Sequence, residues 1–199
     1  EKWHYSSGTA NIIARIVRNE VEKTDPNYYR FIRKALFDRI GMTSAVLEPD
    51  ASGTFVGSSY AVATVRDWGR FGLLYLDDGE FDGSRVISSE WVDDSLQTYS
   101  EGAYGNIGAF GDIGYGYLWW SADIGGHPVN FAWGHGGQLI VLVDDLVVAP
   151  YASALALMVA PEAACLNLQR LSAAGAEGRF GFYEAIDYTP ARQRRGESH

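Results

Sequence analysis

Near position 112 the spacing of apolar residues changes from helical to alternating. This restricts the chain to folds in which helices and a sheet are built from separate stretches of sequence. On the N-terminal side, Ile12 and Ile16, and Ile13, Val17 and Val21, recur at helical spacing after a cap at Ser7 or Thr9. A second helix is expected to start at Asp25-Pro26 and stop at Gly41, burying Tyr29, Ile32, Leu36 and Ile40. A polar loop follows from Thr43 to Tyr60. Thr64-Val65-Arg66-Asp67 then reads as a capping box, with Asp in place of Glu, opening a helix that buries Trp68, Phe71, Leu74 and Leu76 and stops near Gly79. A further helix is expected from Ser88 or Ser89 through Trp91, Val92 and Leu96.

Beyond the glycine-rich passage 101–112, "YGYLWW", "VNFAW" and "QLIVLV" read as strands separated by Gly-Gly and Gly-His-Gly-Gly breaks, and "LVVA" as one more. Connections this short favour antiparallel pairing, since parallel neighbours need a longer crossover. After Pro150 the chain turns alanine- and leucine-rich, and Pro161-Glu162 opens a helix, "EAACLNLQRLSAA", closed by Gly175. The expected class is α+β: an antiparallel sheet with helices packed on it and a helical C-terminal tail.

Composition removes several functions. A hydrophobic share of 47% with 14% aromatics belongs to a chain with a core. A net charge of -9 argues against nucleic acid, which needs clustered Lys and Arg; the one basic run, 192–195, reads as a solvated tail. The longest apolar run, Ala154 to Ala160, is too short to span a bilayer. Cys165 is the single cysteine, so no internal disulfide forms. His4, His127, His135 and His199 lack metal-ligand spacing, and no glycine pattern follows a strand and opens a helix. No metal or cofactor is expected.

Two stretches could carry chemistry. Tyr5-Ser6-Ser7 sets a phenol and two hydroxyls before a helix. In "WGHGGQLIVLV", His135 sits among glycines just before a strand, leaving backbone open for a substrate carbonyl, with the Gln138 N–H available to a developing oxyanion. Taken locally, the first is equally a helix cap after a packed aromatic, and the second an exposed turn.

"WHYSSGTANIIARI", the long passage "ALFDRIGMTSAVLEPDASGTFVGSSYAVATVRDWGRFGLLYLDDGEFDGSRVISSEWVDDS", "YGYLWW" and "WGHGGQ" together resemble the serine β-lactamase and penicillin-binding-protein-like superfamily. The similarity covers about residues 1–143 and is greatest to the branch of class C enzymes, esterases and 6-aminohexanoate-dimer hydrolases. The resemblance implies a partial β-lactamase/transpeptidase-like fold and a cleft where Ser-x-x-Lys, Tyr-x-Asn and Lys-Thr-Gly or His-x-Gly motifs meet. By position, Tyr5 matches the proton-transferring phenol, Ser7 stands where Asn orients the substrate amide, and His135, Gly136 and Gly137 match the third motif, with Gln138 N–H as half of the oxyanion hole. His in place of Lys removes a fixed charge for a carboxylate. This points to a small-molecule ester or neutral amide as substrate rather than a penicillin.

The Ser-x-x-Lys motif is missing, since none of the three lysines, Lys2, Lys23 and Lys34, follows a serine by three. The resemblance places that motif upstream, so a missing N-terminal segment or a second chain is the expected partner, and the polypeptide alone is expected to be inactive. It also implies a periplasmic or secreted location, a cytoplasmic one remaining open. From about residue 144 onward, "DDLVVAPYASALALMV" and "GRFGFYEAIDYTPAR" resemble instead the glucoamylase-like region of cyclic β-1,2-glucan synthases, which suggests a fused tail. There Glu184 and Asp187, among Phe180, Phe182, Tyr183 and Tyr188, are carboxylates that suit glycoside chemistry, or a packed helical surface. The alternatives to a hydrolase are therefore a carbohydrate-active or glucan-binding fragment and a catalytically inactive module that binds peptides or acyl groups.

Overall fold

The computed structural model describes residues 3–101, 112–124, 126–134, 138–144 and 146–148. In chain order these form α1 (Ser7–Val21), α2 (Tyr28–Ile32) running into a π-helical turn (Arg33–Phe37), β1 (Val46–Leu47), β2 (Ala61–Val62), α3 (Val65–Leu76), β3 (Glu80–Phe81), β4 (Ser84–Arg85), α4 (Ser89–Leu96), β5 (Gly114–Tyr115), β6 (Trp120–Ile124), β7 (His127–Trp133), β8 (Leu139–Val143) and β9 (Leu146–Val148). The last five strands make one antiparallel meander in sequence order. Helices precede the sheet in the chain and pack on it, as the change of period implies.

The two faces of the meander belong to different cores. Trp120 pairs with Phe131, and Phe131 and Trp133 are two residues apart, so these three rings share a face. That face carries Ile113, Ile124, Val129 and Val143, all buried. The opposite face presents Ile140, Leu142 and Val147 to Leu73 and Tyr75 of α3 and Val92 of α4. Gly72 lets α3 approach the sheet, because a β-carbon there would fall on Val147 Cγ1 and lie 3.2 Å from Ile140 Cγ2. On its other side α3 buries Leu74 against Phe37, Ile40 and Met42.

Caps and turns fix the element ends. Thr64 Oγ1 accepts from Asp67 N at 3.3 Å and Ser88 Oγ from Trp91 N at 3.1 Å, the expected N-caps of α3 and α4. The capping box is only half made. Thr64 N donates to Ser44 Oγ at 2.9 Å, while the Asp67 carboxylate accepts from Ser44 and from Arg70. Replacing Thr64 with alanine is expected to cost about 1 kcal/mol, read as a lower urea midpoint at unchanged slope.

Several expectations are corrected. The N-cap of α1 is Ser6, which makes no side-chain cap hydrogen bond, and Ser7 is the first helical residue. In the second helix Tyr28 and Phe37 are buried, whereas Tyr29 is exposed and donates its hydroxyl to Gly53 O. Ile40 is fully buried as expected, and Ile32 and Leu36 pack half-buried against the same core as Phe37, which the π-helical turn adds to that face. The 43–60 loop contains β1, which pairs with β2, and a bridge between Pro49 and Phe55. "YGYLWW" is not one strand but the turn of the β5–β6 hairpin, with Leu118 at φ 67°. The β3–β4 hairpin was unforeseen although Asp82-Gly83, both at positive φ, is a strong turn signal. The helical tail expected after position 150 lies outside the described residues. Among the described residues, no helix is long and apolar enough to cross a membrane.

Candidate active site

The chain leading into α1 lies along the face of the meander that carries Trp120. Trp3 packs against Tyr115 and Trp120 with ring centroids 5.5 and 6.2 Å away. Tyr5 stacks on Trp120 at 5.5 Å and 27°, and meets Tyr115 edge-on at 5.9 Å. Nearly half of the Tyr5 side chain stays exposed (46%), so one side of the phenol rests on an aromatic floor and the other is open to solvent. Such edge-on and offset contacts are each worth about 0.5–1.5 kcal/mol beyond burial and hold the ring in place.

From this floor a short aromatic path leads to the glycine-rich turn. Trp120 meets Trp133 edge-on at 6.4 Å, and Trp133 is the last residue of β7, paired with Leu139 at the start of β8. Gly134 N donates to Gln138 O at 2.8 Å, closing the turn between the two strands. His135, Gly136 and Gly137 occupy that turn in sequence and lie outside the described residues, as do Glu184 and Asp187 of the tail. Of the candidate residues, Tyr5 and Ser7 therefore stand at one end of α1, and Gln138 stands across the turn from Gly134. Tyr5 and the first residue of that turn are separated by two tryptophan rings.

A second phenol belongs to this cluster. Burial, and next the neighbouring Tyr5, push the Tyr115 hydroxyl up to about 12, so it remains protonated at neutral pH and can act only as a hydrogen-bonding group. Among the described residues no group of three His, Cys, Asp or Glu side chains could hold a metal ion. Trp3, Tyr115, Trp120 and Trp133 were not anticipated as parts of the site. The register, with Trp120 opposite Phe131 and Tyr115, puts Tyr115, Trp120 and Trp133 on one face, and the chain ahead of α1 lays Trp3 and Tyr5 across it.

A run of helices followed by a five-stranded antiparallel meander, with the half-exposed Tyr5 on one face of the sheet, sets out the architecture. The β-lactamase family model matches residues 1–158, and the chain belongs to that family. The putative 6-aminohexanoate-dimer hydrolase from Bacillus anthracis superposes with a TM-score of 0.65 at 22% identity, over 85% of this chain and 45% of its own. A stretch of 56 residues, 28% of the chain, is 46% identical to cyclic β-(1,2)-glucan synthase NdvB of Rhizobium meliloti (strain 1021) and spans 2% of that protein. The chain thus covers less than half the length of either relative. Its fold is the α+β fold of the β-lactamase-like hydrolases.

Proposed function

We propose that this chain supplies one wall of a serine-hydrolase site acting on neutral esters or amides, with the nucleophilic serine contributed by polypeptide outside residues 1–199. Tyr5 takes the proton as the serine oxygen adds to the acyl carbon and returns it to the departing alcohol or amine; water then cleaves the acyl-enzyme. An ordinary phenol ionises near 10, so this role requires a cation brought beside it together with the nucleophile. Ser7 offers one hydroxyl to the substrate amide. Gln138 N–H is directed at the oxyanion, and the His135-Gly136-Gly137 turn holds an acyl chain without a fixed charge for a carboxylate. The observation that carries this reading is the aromatic path from the half-exposed Tyr5 through Trp120 to Trp133, which ends at the turn.

A fluorophosphonate probe is expected to leave residues 1–199 unlabelled and to label the protein once the segment encoded ahead of Glu1 is included. In that longer protein Tyr5→Phe should lower hydrolysis of p-nitrophenyl acetate at least about 100-fold. Hydrolysis by residues 1–199 alone, above a Tyr5→Phe control, rejects the division of the site. Binding of a peptidoglycan peptide without labelling favours an inactive acyl- or peptide-binding module.

The 56-residue stretch that is 46% identical to a protein named as a cyclic β-(1,2)-glucan synthase favours a second reading, in line with the resemblance of the sequence from about residue 144 onward. There a glucan-binding surface would use Glu184 and Asp187. Binding of β-1,2-glucan that Glu184→Gln and Asp187→Asn abolish supports it.

A further inference from the structure

Aromatic rings from α4, from the chain just after it and from the β5–β6 turn meet on the surface. Tyr99 and Tyr117 stack at 4.8 Å and 10°, and Trp91 lies against Tyr117 at 5.8 Å and 36°. Backbone contacts hold them in place. Tyr117 N donates to Ser95 O at 3.1 Å, and Tyr99 N donates to Tyr115 O at 3.0 Å. A β-carbon at Gly116 would lie 2.5 Å from Gln97 O and 2.6 Å from Ser95 O, so the turn sits tightly on the end of α4. The rings still bury little: Trp91, Tyr99 and Tyr117 are 48%, 52% and 46% exposed. Beside them Leu118 is exposed at a positive φ that glycine would adopt without cost. Large apolar side chains held in fixed positions but left uncovered make a preformed binding surface.

The charges around the rings show what this surface takes. α4 carries Glu90, Asp93 and Asp94 around Trp91, and none of the three pairs with an arginine or lysine among the described residues. Asp93 and Asp94 stand in the last turn, where the helix dipole disfavours carboxylates and no basic residue compensates them. Glu90 lies three and four residues before them, a spacing at which like charges repel. Asp94 reaches the stack itself. The hydrogen bond to Tyr117, then burial and the Asp94 carboxylate, push the Tyr99 hydroxyl up to about 12, so it stays protonated beside that carboxylate. The helix thus keeps mutually repelling carboxylates at the edge of an aromatic surface, an arrangement that a cation from outside relieves.

Ring geometry selects the kind of cation. Faces inclined at 10° and 36° form a pile rather than the cage that encloses a trimethylammonium group. A guanidinium is planar, so it extends such a pile face to face while its N–H groups still reach a carboxylate. A neutral sugar ring also lies flat on aromatic faces, but it neutralises none of the three carboxylates. We infer that the Trp91–Tyr99–Tyr117 surface docks an arginine side chain presented by a basic segment of another protein, with the guanidinium on the rings and paired to Asp94. This surface and its ligand do not depend on the proposed hydrolase chemistry.

The probe is a fluorescein-labelled peptide of alternating arginine and glycine, with a lysine–glycine peptide of equal length and charge as control. Binding to residues 1–199 is read by fluorescence anisotropy at about 0.15 M salt, where long-range attraction is screened. The arginine peptide should bind at least about fivefold more tightly than the lysine peptide, because stacking adds to charge. Trp91→Ala and Tyr99→Leu leave the net charge unchanged, and each should weaken arginine-peptide binding about fivefold or more at an unchanged urea midpoint. Lysine-peptide binding should be the same in both variants, whereas Asp94→Asn should weaken both peptides. Equal affinity for the two peptides, no binding of the arginine peptide, or affinity that neither ring substitution alters overturns the inference. Binding of a neutral β-1,2-glucan that Trp91→Ala abolishes overturns it and assigns the surface to sugar. Self-association that Trp91→Ala abolishes overturns it and assigns the surface to a second copy.

Discussion

Replacing Asp67 with alanine is expected to destabilise the protein by about 3 kcal/mol, a loss set by burial and unsatisfied partners. The side chain is 3% exposed and accepts from Ser44 N at 2.8 Å, Ser44 Oγ at 2.6 Å and Arg70 Nη1 at 2.5 Å. Alanine leaves the Ser44 backbone N–H and a half-buried guanidinium without this acceptor at the point where the 43–45 turn meets the first turn of α3. Asparagine should recover part of the loss, because its carbonyl oxygen can still accept from Ser44 but carries no charge for Arg70. Equilibrium urea unfolding of the three proteins measures both differences.

The same carboxylate makes stability depend on pH. Burial pushes the Asp67 carboxyl up, but the hydrogen bonds from the Ser44 hydroxyl and N–H and the Arg70 guanidinium outweigh it, and the group sits below its ordinary value. A carboxyl depressed in the folded state contributes stability that is fully present above the unfolded value, near 4, and is lost as pH falls through the lower folded value. The difference in stability between the wild-type chain and Asp67→Asn should therefore be constant from about pH 5 upward and shrink below pH 4. A difference that stays constant down to pH 2 excludes this account.

The second large effect is expected at Gly72. Any side chain there lies between α3 and the sheet, where the β-carbon would overlap Val147 Cγ1, a branched and stiff side chain on a residue that is 2% exposed. Gly72→Ala regains about 1 kcal/mol of helix propensity against an overpacking cost of about 1–3 kcal/mol, so its net loss is small. Gly72→Val adds two methyl groups with no room to rotate and should cost about 3 kcal/mol. A Gly72→Val/Val147→Ala double variant should recover more than additivity allows, because the two sites share one contact. Thermal unfolding of the four proteins reads the coupling.

How much was legible beforehand differs from element to element. The caps of α3 and α4 were readable because a hydroxyl at the first position, with its acceptor geometry, is a local property of Thr64 and Ser88. The strands around "VNFAW" and "QLIVLV" were readable because glycine breaks bound β-rich runs. Tyr28 was missed in favour of Tyr29 because both lie one turn before Ile32, and only the packing of Tyr28 beside Val21 and Phe55 decides between them. The candidate site was half legible. Tyr5 and the glycine turn could be named from motif likeness, but their aromatic floor of Trp3, Tyr115, Trp120 and Trp133 comes from four separate stretches.

By itself, the sequence determined the family, the α+β order of elements and the glycine-bounded connections on either side of β7, through motifs and breaks readable along the chain. Only the tertiary structure decided which face each periodic stripe would use. The apolar arc of α1 has the same spacing as a buried one, yet it faces outward, because the 52–58 loop offers α1 hydrogen-bonding groups and a glycine rather than an apolar surface. Periodicity states that a face is apolar; what lies against it depends on contacts between residues far apart in the chain.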